Sequence, residues 1–166
     1  METLTGLISV QTFWKILLFS HFVMAVGLLG AITLQTVAML MPARQAAGNF
    51  IIGFRPMPAA SYATVVVALY VPQVLMGAWI YLKYRTYVRI PMEAFRYWWT
   101  VGAFDFKEHV VAIGLALLPA YWYFWQPPQS EDHAGVRKGL TIFLAFAVWY
   151  AFIIGHTAND FRGVGS

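Results

Sequence analysis

The chain has 166 residues, of which 60% are apolar, 17% aromatic and only 11% charged, and its formal net charge is +4. A soluble domain carries about a quarter charged residues, so this balance points to a membrane protein. Cysteine is absent, which excludes disulfides, iron–sulfur clusters, covalent c-type haem attachment and thiol catalysis; the basic residues form no dense run, so no nucleic-acid partner is expected.

Four apolar stretches follow one another, Ile16 to Met41, Tyr62 to Leu82, Val110 to Trp125 and Leu140 to Gly155. A spanning helix needs roughly 20 residues, with a range of about 17–25. The first two stretches meet this alone. The last two reach it when Lys107, His109 and His156 are taken into their ends. The expected fold is all-α, an integral membrane four-helix bundle forming a single domain over 1–166, with helices at about 14–41, 62–84, 106–125 and 138–157 and both termini on the same side. The first stretch is longer than the roughly 7–15 apolar residues of a cleaved signal peptide and is expected to be a true span.

Helix 1 ends at Pro42, and Gly48, Gly53, Pro56 and Pro58 make the segment Ala43 to Ser61 irregular. Helix 2 holds Pro72 and Gln73 in its middle, a position where proline often marks a kink. Arg85 to Asp105 mixes Arg89 and Arg96 with Tyr97, Trp98 and Trp99, as suits a segment lying in the headgroup layer. Helix 3 closes on the string Tyr121-Trp122-Tyr123-Phe124-Trp125, and a polar loop with Pro127, Pro128, Glu131 and Asp132 leads to helix 4.

Orientation follows from the Lys and Arg bias. Lys15, Lys83, Arg85, Arg89, Arg96, Lys107 and Arg162 collect on one side, against Arg44, Arg55, Arg137 and Lys138 on the other. The positive-inside rule places the richer side, with both termini, in the cytoplasm, as for a bacterial inner membrane.

The same helix count gathers three of the four histidines. His21 lies early in helix 1, His109 opens helix 3 and His156 closes helix 4, so all three fall near the cytoplasmic face. His133, in the polar loop, falls on the other. Bundles grip cofactors with side chains on facing helices, and intramembrane ionisable groups are costly and usually functional. Met24, Ala25 and Leu28 share the face of His21; Ala112, Ala116 and Ala120 share that of His109; Trp149, Phe152 and Ile153 share that of His156. Imidazoles with small or flat apolar neighbours fit haem b, ligated by two of the three. Glu108 and Asp160 are candidates to orient an imidazole. Three imidazoles with Glu108 or Asp160 also make a zinc or copper set, and Met39, Met41 and Met57 offer thioethers for copper. The ordinary alternative is helix packing, in which a histidine or alanine stripe serves a neighbouring helix. Gln35 and Gln73 are read as bridges between helices.

The stretch Ser20-His21-Phe22-Val23-Met24-Ala25-Val26-Gly27-Leu28-Leu29-Gly30 resembles one in small bacterial membrane proteins, the copper-resistance D-like proteins and the haem-binding bacterial protoporphyrinogen oxidase. In the oxidase a second histidine opens helix 3, at the place of His109. The resemblance implies haem b binding more than any reaction.

The expected function is that of a b-type cytochrome-like membrane protein, an electron-transfer or quinone-linked redox subunit and in that case a haem-dependent oxidoreductase. Lipid is its medium, and a quinone, a larger redox complex or a second copy are its candidate partners. The alternatives are a non-catalytic assembly subunit and a copper- or zinc-binding membrane protein.

Overall fold

The computed structural model describes residues 3–4, 8–40, 59–127 and 132–160. Of the expected irregular segment 43–61, residues 59–61 are helical; residues 43–58, Met41 and the tail after 160 lie outside the described residues, as does the side chain of Asp160. Apart from a two-residue antiparallel ladder pairing Thr3–Leu4 with Ile8–Ser9, the described elements are helices. They are α1 (Val10–Leu40), α2 (Ala59–Tyr84), α3 (Ile90–Ala94), α4 (Trp98–Trp125) and α5 (Ala134–Asp160).

The start of α1 is set by Ser9, whose Oγ accepts the Thr12 backbone N–H at 3.1 Å, an N-cap that satisfies one donor of the first turn. A π-helical turn, Arg85–Arg89, joins α2 to α3 without a break. Among the described residues, three segments are long and apolar enough to cross a membrane, Val10–Leu40, Ala59–Ala94 and Ala134–Ala158. The long α4 is not among them, because Asp105, Lys107 and Glu108 lie in its first half and a run of tyrosine and tryptophan in its last turns.

The four long helices close a ring in which α1 packs on α2, α2 on α4, α4 on α5 and α5 on α1. Cross-contacts show neighbours running in opposite directions. His21 and Gln35 of α1 meet Gln73 and Ala59 of α2, and Ala103 and Trp125 of α4 meet Tyr150 and Thr141 of α5.

The end of the bundle away from the start of α1 is solid. Leu28, Ile32, Val66, Leu118, Tyr121, Leu144 and Val148 form its core. Buried polar side chains here find partners across helices. Gln35, fully buried, donates to the Ala59 carbonyl at 3.1 Å and accepts from the Tyr121 hydroxyl. The Trp125 indole donates to Thr141 at 3.0 Å. Gly114 is needed in this core, since a Cβ there would overlap the Tyr70 hydroxyl and stand 3.1 Å from its Cζ.

The other end has a second, smaller core of Tyr84, Val88, Met92, Val101, Phe104 and Ala158. Here the segment 85–105, expected as a surface link between helices, is a helical hairpin. Helix continues to Ala94, turns through Phe95–Tyr97 with Arg96 at φ 63°, and resumes at Trp98. Arg89 explains the difference. It donates to both carboxylate oxygens of Asp105, at 2.9 and 3.2 Å, and to Glu93 at 2.8 Å. One of the cations that point to a headgroup location, Arg89, is therefore paired within the helical hairpin. The π turn provides the extra residue that brings Arg89 round to α4. Phe95, Trp98 and Trp99 remain exposed at the hairpin tip.

Candidate functional site: a cavity between the four helices

Between the two cores the helices part, leaving a cavity of about 750 Å³ walled by all four long helices. That lies within the roughly 300–1,000 Å³ typical of ligand sites. Most of its wall is apolar, and its polar residues include His21, Gln73, His156, Lys15, Lys107 and Glu108.

His21 reaches the cavity from α1, half-buried. Its Nε2 lies 3.2 Å from Gln73 Nε2 on α2. In that arrangement the amide donates, Nε2 accepts, and the imidazole proton sits on Nδ1. The ring also rests against Gly77, one turn along α2, where a Cβ would approach His21 Cε1 to 3.2 Å. Two polar atoms of this pair, His21 Nδ1 and Gln73 Oε1, are buried and lack a hydrogen-bond partner. Turning the amide over exchanges donor and acceptor but still leaves one of each unpaired. Such atoms cost about 1–3 kcal/mol each when nothing satisfies them.

His156 comes to the same cavity from α5, beside Phe152, whose ring lies parallel to the imidazole at 6.4 Å. Phe152 in turn packs against Phe22 at 6.4 Å. This contact fixes the relative height of α1 and α5. His21 is one residue from Phe22 and His156 one turn from Phe152, both towards the same end, so the two imidazoles differ in level by about three residues of helical rise, roughly 4.5 Å. Ala25 and Leu28 line the wall on the face of His21, as does Phe152 on that of His156.

His109 is not part of this wall. Its Nδ1–H donates to the Asp105 carbonyl of the preceding turn at 2.7 Å, and the ring is exposed on the outside of α4. Of its alanine stripe, Ala112 reaches the cavity and Ala116 is exposed. His133 lies at the opposite end of the bundle, against Phe124 at 5.3 Å. Glu108 lines the cavity, half-buried. The structure thus joins two of the three expected histidines, and no grouping of three or more His, Cys, Asp or Glu able to hold a metal ion occurs among the described residues. Met39 packs against the solid core.

No protein-family model matches the chain, nor does any curated protein or solved structure. Its chemistry is therefore read from the cavity alone.

Several wall residues were not singled out by the sequence reading. Gly77 was hidden because a lone glycine in an apolar helix is routine, although its spacing of four from Gln73 marks a shared face. Tyr70, Tyr84 and Phe104 carry no local signal that separates a cavity wall from a lipid-facing surface. Lys107 read as an interfacial cation; α4 turns it inward.

Proposed function

We propose that the chain is an integral membrane cytochrome-like protein that binds haem b in the bundle cavity, where His21 and His156 would hold its iron. One observation supports the reading: both imidazoles line one cavity, on adjacent helices and within about one helical turn of each other in level. The residues present suit the group. Phe22 and Phe152 offer flat apolar surface beside the imidazoles, and Ala25 leaves room for a macrocycle. The tautomer drawn by Gln73 places the lone pair on Nε2, the nitrogen and protonation state that iron needs. Loading exchanges the Gln73 hydrogen bond for the metal, at a cost of about 1 kcal/mol.

Haem between two imidazoles supplies one-electron transfer. The protein's own part is to hold the rings, exclude water with the solid core beneath them, and keep the cavity apolar. In this reading all four long helices span the bilayer, and both termini face the cytoplasm. The exposed Phe95, Trp98 and Trp99 lie at the headgroup level. A quinone is the proposed redox partner. A second reading, a subunit packed against a larger redox complex or a second copy, is favoured by the exposed His109, since an ionisable ring facing lipid is costly.

The test is a hemin titration of the detergent-purified protein. Saturable one-to-one binding with sharp reduced α and β bands supports the proposal. A titration that never saturates above the detergent blank overturns it.

A further inference from the structure

Lys107 is a cation that forms an ion pair with no carboxylate among the described residues. It lies in α4, half-buried, and lines the cavity. Its ammonium sits 4.2 Å over the Phe104 ring, and it forms no salt bridge among the described residues, whose ion pairs are those of Arg89 with Glu93 and Asp105. Asp105, two positions before it, is taken by both terminal nitrogens of Arg89. Glu108, the next residue, acts on it only through longer-range attraction. Lys15 of α1 lines the same cavity and is exposed.

A charge held inside a helical bundle without a counter-charge is strongly unfavourable, and proteins retain such groups where something binds them. The ring beneath the ammonium softens the cost without neutralising it. An anion delivered by the cavity's occupant would neutralise it.

We propose that Lys107, assisted by Lys15, is a carboxylate seat in the cavity wall, so that the occupant is an amphipath with an apolar body and at least one acid group. The proposal deepens the cavity reading above but does not need iron, because it concerns the acid end of the ligand and not its ligation. The acid can belong to a porphyrin or to a fatty acid. Glu108, in the same wall, disfavours a ligand carrying many negative charges and leaves one or two as the fitting number.

The experiment compares acids with their esters. Binding of iron-free protoporphyrin IX and of its dimethyl ester is followed by quenching of the protein's tryptophan emission in detergent, and palmitate is compared in parallel with methyl palmitate as competitor. The expected result is that one diacid or fatty acid binds roughly tenfold or more tightly than its ester, the scale of one charge-assisted contact. Lys107→Gln should remove this preference while leaving ester binding within twofold, and Lys107→Arg should retain it. A preference in the porphyrin pair alone assigns the seat to a porphyrin, and one in the palmitate pair alone assigns it to a lipid acid.

Equal binding of acid and ester by the unaltered protein, or no binding of either acid, overturns the proposal. So does a preference that survives Lys107→Gln. Because these porphyrins carry no iron, a failed hemin titration with an intact acid preference removes the haem reading and leaves the seat, and the reverse outcome removes the seat alone.

Discussion

Gly77→Ala places one methyl group against the proposed ligand. In the structure a Cβ at this position stands 3.2 Å from His21 Cε1 and 4.0 Å from Nε2. Ordinary contact begins near 3.4 Å, so the ring must retreat by a few tenths of an ångström. The Gln73 bond already spans 3.2 Å, and that retreat stretches it out of hydrogen-bonding range, a loss of about 1 kcal/mol. Alanine is better than glycine inside a helix by about 0.8–1.0 kcal/mol. The two effects offset, and the fold should change in stability by less than about 1 kcal/mol. The ligand ring, however, moves by an amount close to the roughly 0.5 Å within which binding groups must be held, and hemin affinity should fall about tenfold. The assay is a pair of measurements on one sample, unfolding in detergent followed by circular dichroism and a hemin titration. Gly30→Ala, where a Cβ meets nothing within 4 Å, is the control and should leave both intact. Hemin affinity unchanged within twofold in Gly77→Ala would refute the placement of His21 as a ligand. A stability loss of several kcal/mol would refute the packing argument.

Other consequences are separable from this one. Gly114→Ala should destabilise the bundle by about 2–4 kcal/mol, overpacking being joined by loss of the 3.0 Å hydrogen bond from Tyr70 to the Val111 carbonyl; chemical unfolding in detergent measures it, and a loss under 1 kcal/mol counts against the solid core described here. Tyr70→Phe should cost only about 1 kcal/mol in the same assay. Arg89→Ala releases Asp105 and Glu93, but the partners are a quarter to two-fifths exposed, so a change of about 1 kcal/mol or less is expected; a loss above 3 kcal/mol would show the hairpin to depend on this clamp. Reporters fused at either terminus should be active only on the cytoplasmic side, and a periplasmic signal from one of them contradicts the four-span topology.

The helix count was legible, because long apolar runs separated by glycine, proline and charge leave few alternatives. So was the placing of His21 and His156 towards one end of the bundle, since antiparallel connection alone brings an early residue of the first helix and a late residue of the last to one end. The direction of His109 was not. Height along a helix follows from counting, but angle around it does not when the helix is apolar on every side. On α4 the inward stripe is Val110, Gly114, Leu118, Tyr121 and Trp125, set by a small residue and aromatics and not by any contrast with polar ones. The extension of α2 through the π turn was also hidden, because the partner that Arg89 meets, Asp105, lies sixteen residues later. A local reading assigns that arginine to the lipid headgroups. Both glutamines were readable as bridges, for a primary amide inside an apolar helix needs a partner, but only the fold shows Gln73 reaching His21.

The central claim is that His21 and His156, and not His109 or His133, hold the haem. It is tested most directly by replacing each of the four histidines with alanine and recording the reduced spectrum after hemin loading, with folding checked by circular dichroism. The account predicts loss of the six-coordinate α and β bands in His21→Ala and in His156→Ala, and unaltered bands in His109→Ala and His133→Ala. Bands that persist in both of the first two, or that vanish in His109→Ala, would contradict it.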